Sequence, residues 1–141
     1  MNIRAILAGT LLSAAFAAGA FAATSMYKAD LKGSREVPAN DSKGTGAAEL
    51  TYDPATKKLA WKITYSGLSG PATGAHIHGP ADPGKDAPVA IKFENPASPI
   101  VGSATLTEAQ AADLQGGKWY VNVHTAQHKS GEIRGQAMPA K

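Results

Sequence analysis

The chain contains no cysteine. That excludes disulfides, thiolate metal sites and thiol nucleophiles together. Charge is also sparse, at 18% of residues, and no run of like charge exceeds the pair Lys57-Lys58. A nucleic-acid or membrane-surface binder needs a basic stripe or block, so neither partner is expected. Catalytic signatures are missing as well. In Gly67-Leu68-Ser69-Gly70-Pro71, a proline fills the second glycine position of a nucleophile elbow. Gly44-Thr45-Gly46 lacks the continuation of a phosphate-binding loop. No two carboxylates stand out as a pair for glycoside cleavage. The 15 glycines read as turn residues, and no enzyme activity is expected.

The N-terminus carries a recognisable signal. Asn2 and Arg4 form a short positive start, Ala5 to Phe21 is an apolar run, and Ala20-Phe21-Ala22 fits a small-x-small cleavage site. Residues 1–23 therefore read as a secretory signal peptide rather than a membrane anchor, because the run is Ala-rich and ends in a cleavage motif. Residues 24–141 are left as a single domain, large enough for one core without staples. Without Arg4 the balance is 13 basic against 11 acidic residues. A periplasmic or secreted protein is expected, not inserted in a membrane once the leader is removed. Nothing nominates a second subunit, so a monomer is expected.

The mature part alternates with period two, the mark of strands with one buried face. Tyr27, Ala29 and Leu31 alternate with Lys28, Asp30 and Lys32. Ala48, Leu50 and Tyr52 form a second such stretch, and Leu59, Trp61, Ile63 and Tyr65 a third. Asp53-Pro54-Ala55-Thr56-Lys57 joins these two as a hairpin turn. Short strands are also predicted over 89–93, 100–106 and 132–137. The last should point Ile133 and Ala137 inward, with Glu132, Arg134 and Gln136 outward. One helix is predicted over 107–114, with Thr107 and Gln110 as a capping box and Gly116-Gly117 as its stop. Seven or eight short strands with one short helix predict an all-β fold. It should be an antiparallel β-sandwich or Greek-key barrel, immunoglobulin-like or superoxide-dismutase-like.

Two strands hold three of the four histidines. In Gly74-Ala75-His76-Ile77-His78-Gly79-Pro80-Ala81, Ala75 and Ile77 face one way and both histidines the other. In Trp119-Tyr120-Val121-Asn122-Val123-His124-Thr125, the apolar residues share one face, while Tyr120, Asn122 and His124 share the opposite one. If the strands are neighbours, the three rings can converge, with His128 close behind in sequence. Three or four imidazoles suit copper or zinc. Asp82 or Asp86 can add an oxygen. The competing reading gives the histidines a purely structural hydrogen-bonding role. Asn122, Thr125, Glu132 and Arg134 are read as a structural polar network, with Glu132 and Arg134 tied to Asn122 or a histidine.

These two stretches, with Leu106-Thr107, Leu114 and Gly131-Glu132-Ile133-Arg134-Gly135-Gln136, resemble the CHRD domain, the module named after chordin and found also in secreted bacterial proteins. The resemblance spans about Met26 to Met138, as one copy. It implies an extracytoplasmic, β-rich module and supplies no enzyme mechanism. The module's partner, a protein or a metal ion, is left unnamed. A second, fainter resemblance links His76-Ile77-His78 to the copper-ligand strand of Cu,Zn superoxide dismutases. Against it stand the missing disulfide and the lack of any match to that family's bridging histidine or zinc-ligand aspartate.

Overall fold

The computed structural model describes residues 14, 15, 19 and 22–141. The leader expected over 1–23 thus falls almost wholly outside the described residues. Among these are nine strands and one α-helix: β1 (Ser25–Lys32), β2 (Thr45–Asp53), β3 (Lys58–Ser66), β4 (Ala72–His78), β5 (Val89–Lys92), β6 (Ile100–Thr105), α1 (Glu108–Gln115), β7 (Tyr120–Thr125), β8 (Ile133–Gln136) and β9 (Met138–Pro139). A 3-10 turn, Gly33–Arg35, follows β1. Thr107 caps α1 in the expected box with Gln110, and Gly117 follows the helix end at φ +70°.

All the pairings are antiparallel. The strands make one continuous sheet in the order β5-β4-β7-β8-β1-β2-β3-β6, with β9 added to β1. The expected all-β class is therefore borne out. The sheet curls strongly on itself as a half-barrel, a single sheet wrapped round its own core. Cross-strand partners place like with like: Tyr27, Leu50 and Trp61 stand in one row, Ala29, Ala48 and Ile63 in the next. Leu50, Leu59, Ile63, Ile77, Leu114, Trp119, Val121 and Val123 are fully buried in this core. The two free sheet edges, β5 and β6, flank a cleft of about 490 Å³ lined by Trp61, Phe93 and Ile100.

The outer face of β7 and β8 departs from expectation. Arg134, expected to point to solvent, is 2% exposed, and Glu132 is 0% exposed. Asn122 and Tyr120 are buried too. Two loops cover this face. The loop after β4 is tied down by Ala81 N–H to the Lys118 carbonyl (2.8 Å) and by Gln136 Nε2 to the Ala81 carbonyl (2.9 Å). The loop after the 3-10 turn is tied by Asn40 Nδ2 to the Glu132 carbonyl, 3.0 Å. Period-two alternation correctly assigns residues to faces, but it is blind to a loop lying over the polar one. The buried polar layer that results must satisfy itself internally, and this sets up the site.

Candidate functional site

β4 pairs directly with β7, so the two histidine strands are neighbours. His76 stands opposite Asn122, His78 opposite Tyr120, and Gly74 opposite His124. The His76 ring lies beside Gly74, and His76 Nδ1 comes within 3.1 Å of His124 Nε2. Ligand nitrogens of His76, His78 and His124 all lie within 4.8 Å of one another. Two nitrogens bound tetrahedrally at about 2.0–2.1 Å from a zinc ion stand about 3.3 Å apart. The 3.1 Å approach of His76 and His124 fits such a pair of adjacent ligands.

Backbone carbonyls fix which nitrogens are free. The Ala87 carbonyl lies 2.9 Å from His78 Nδ1, and the Lys129 carbonyl 2.8 Å from His124 Nδ1. A carbonyl only accepts, so Nδ1 carries the proton in both rings and each Nε2 presents a lone pair. These lone pairs point toward one place, where Asn122 Oδ1 stands 3.0 Å from His78 Nε2 and 3.1 Å from His124 Nε2. An N–H to carbonyl bond behind a ligating imidazole is the usual arrangement that orients a metal-binding ring. Burial holds the His76 pKa down to about 4, assisted by His124, His78 and Lys92. Burial also lowers that of His78, against the Ala87 and Asn122 contacts that raise it. Both rings are neutral at neutral pH and need lose no proton to bind a cation.

Next to the imidazoles, Tyr120 is flanked by His78 from β4, stacked at 4.8 Å and 4°, and by Arg134 from β8, 3.4 Å from the ring centre. Arg134 bonds Asp86 Oδ1 at 3.0 Å and the Lys85 carbonyl. Asp86 is thus committed to Arg134, and Asp82 pairs with Lys118. Neither aspartate belongs to the three-imidazole group. His128 does not join it either: its Nε2 lies 3.7 Å from Glu132.

Glu132 anchors a separate cluster. Its carboxylate accepts from the Ser69 N–H and hydroxyl and from Thr125 Oγ1, the last at 3.0 Å. These bonds outweigh burial and hold its pKa below the usual carboxylate range. The polar network expected of Asn122, Thr125, Glu132 and Arg134 is therefore three networks. Glu132 and Thr125 close the end of the sheet, Arg134 fastens the loop after β4, and Asn122 belongs with the histidines.

The sequence profile of the CHRD domain matches residues 27–137. The chain belongs to the CHRD family. No curated protein and no solved structure matches it. In this CHRD domain the residues that carry the resemblance, on β4, β7 and β8, are the ones that build the polar layer.

One residue of the site was not anticipated. Glu36 follows the 3-10 turn and is 6% exposed, with Oε1 buried and lacking a hydrogen-bond partner. Burial raises its pKa to about 7, against the pull of Arg134, the Val37 N–H and the Asn122 amide. A Cβ on Gly131 would stand closer than 3.0 Å to both Glu36 Oε1 and Asn122 Nδ2. Only glycine leaves room for both beside it. The tight Gly131 backbone, at φ +126°, was the one local clue.

Proposed function

We propose that this CHRD domain is an exported, non-enzymatic binding module whose His76, His78 and His124 hold a Cu(II) or Zn(II) ion. The observation that carries the proposal is the convergence of three imidazole nitrogens within 4.8 Å, with two tautomers set by backbone carbonyls behind them. Two neutral rings with depressed pKa values suit metal binding at neutral pH. Cu(II) should bind more tightly than Zn(II), by the general affinity order for nitrogen sites. Export rests on the N-terminal sequence pattern.

Calorimetric titration of tag-free protein with each metal tests the site. Stoichiometric Cu(II) binding that is lost in His76→Ala/His124→Ala is the expected result. Equal binding by wild type and a folded double variant would leave the histidines as hydrogen-bonding residues. The domain would then stand as an interaction module for a protein partner. The His76–His124 contact is what that second reading would explain.

A further inference from the structure

We propose that Asn122 supplies a fourth, oxygen donor to the metal ion, and that Glu36 is the positioning residue that turns the Asn122 carboxamide toward the imidazoles. This rests on the metal-binding reading above and deepens it.

The inference follows from counting donors and acceptors. His78 Nε2 and His124 Nε2 both lack a proton, because each ring gives its Nδ1 proton to a carbonyl. Asn122 Oδ1 faces both at 3.0 and 3.1 Å. His124 Nε2 can accept from His76 Nδ1 at 3.1 Å, but His78 Nε2 and Asn122 Oδ1 face each other at 3.0 Å with no proton between them, an arrangement that costs energy when buried. Rotating the amide by half a turn would bring Nδ2 to the two nitrogens and satisfy them. It would also drive Oδ1 against the Glu36 carboxylate, which lies on the other side of the amide where Gly131 leaves space. When ionised, the Glu36 carboxylate therefore favours the orientation with Nδ2 toward it. What remains on the imidazole side is a cluster of lone pairs that a cation resolves. Three imidazole nitrogens and one amide oxygen form a borderline-to-hard set, matched to Cu(II) or Zn(II) and poorly to the softer Cu(I).

Glu36 itself touches no ion. Its effect passes through the orientation of a neighbour, the usual way an outer carboxylate tunes a metal site. Asn122 cannot be replaced in this by the nearby aspartates, since Asp82 and Asp86 are paired elsewhere.

The test uses tag-free full-length protein titrated with Cu(II) and Zn(II), read by calorimetry and by Cu(II) electron paramagnetic resonance. Three variants are compared: Asn122→Ala, Glu36→Gln and Glu36→Gln/Asn122→Asp. Asn122→Ala is expected to weaken Cu(II) binding about tenfold or more and to change the copper spectrum. Glu36→Gln keeps the shape but removes the charge that orients the amide. It should weaken binding severalfold with far-UV circular dichroism unchanged. The double variant exchanges donor and acceptor across the contact: the introduced amide donates, and the introduced carboxylate offers oxygen to the ion. Affinity should return to the wild-type level or better. Wild-type affinity and spectrum in both Glu36→Gln and Asn122→Ala would overturn the proposal and leave a three-nitrogen site. Should Asn122→Ala fail to fold, the Glu36→Gln spectrum and the double-variant recovery still decide. Lack of metal binding by the wild type itself would remove the underlying site, and this proposal with it.

Discussion

Two polar clusters lie at β7 and β8, built from similar residue types, yet they are balanced differently. Around Glu132, one carboxylate is met by three donors: the Ser69 N–H, the Ser69 hydroxyl and the Thr125 hydroxyl. Around Asn122, acceptors outnumber donors, and two imidazoles crowd an amide oxygen, with the third beside them. A saturated cluster is a fastener, because anything added would break a bond already made. An acceptor-rich cluster has capacity left over, and a cation is what fills it. Histidine content alone does not separate the two, since His128 belongs with Glu132. The sign of the imbalance does.

The comparison breaks most visibly at Glu132. Glu132→Ala should orphan the Ser69 and Thr125 groups and lower stability by on the order of 3 kcal/mol in urea unfolding. A loss below about 0.5 kcal/mol, the size usual for surface changes, would deny the fastener role. At the other cluster the effect should fall on the ligand instead. His124→Ala is expected to lower Cu(II) affinity about tenfold or more while leaving a folded domain, measured by calorimetry beside a melting curve.

The pH dependence of stability sharpens the contrast. The His76 pKa, about 4 in the fold, lies below the value near 6.5 of a free imidazole. The unfolded chain takes up this proton first. The metal-free domain should therefore keep its full His76 contribution above about pH 6.5, lose it as pH falls toward 4, and lose no more below that. Glu36 acts with opposite sign. Its pKa is raised from 4.5 to about 7, so its contribution is whole at low pH and is lost as pH rises through 7. Glu36→Gln should unmask the His76 slope, which cannot exceed about 1.4 kcal/mol per pH unit for one proton. An unchanged profile in that variant would mean that Glu36 does not titrate as described. The smallest effect is expected at His128. His128→Ala should leave Cu(II) affinity within about twofold and cost under about 1 kcal/mol, since only a 3.7 Å side-chain contact with Glu132 is removed.

The residues differ in how openly they announce these roles. Strand faces could be read from alternation, as with Ala48, Leu50 and Tyr52, all buried as expected. The Thr107–Gln110 box likewise marks its helix from local chemistry alone. Convergence of His76, His78 and His124 needed one further fact, the pairing of β4 with β7, which alternation permits but does not dictate. Burial of Glu132 and Arg134 was illegible, because it depends on where two distant loops settle. Glu36 was hidden for the same reason. It sits in a polar loop, far in sequence from Asn122, and only the closed sheet brings them together. His128 misled through proximity: four residues from His124, it lies past the strand end, where the chain has already turned.

The sheet order has a consequence for how the chain is made. β1 holds its place between β2 and the strands β8 and β9, pairing Lys32 with Arg134 and Tyr27 with Pro139. β1, made before the other described strands, thus keeps one side open until β8 and β9 have been synthesised. β4 and β7 are also partners across about 45 intervening residues, so the histidine pair cannot form early. The complete sheet can therefore form only after β8 and β9 have been made. That order suits the export proposed above, because a translocation pore accepts an unfolded chain.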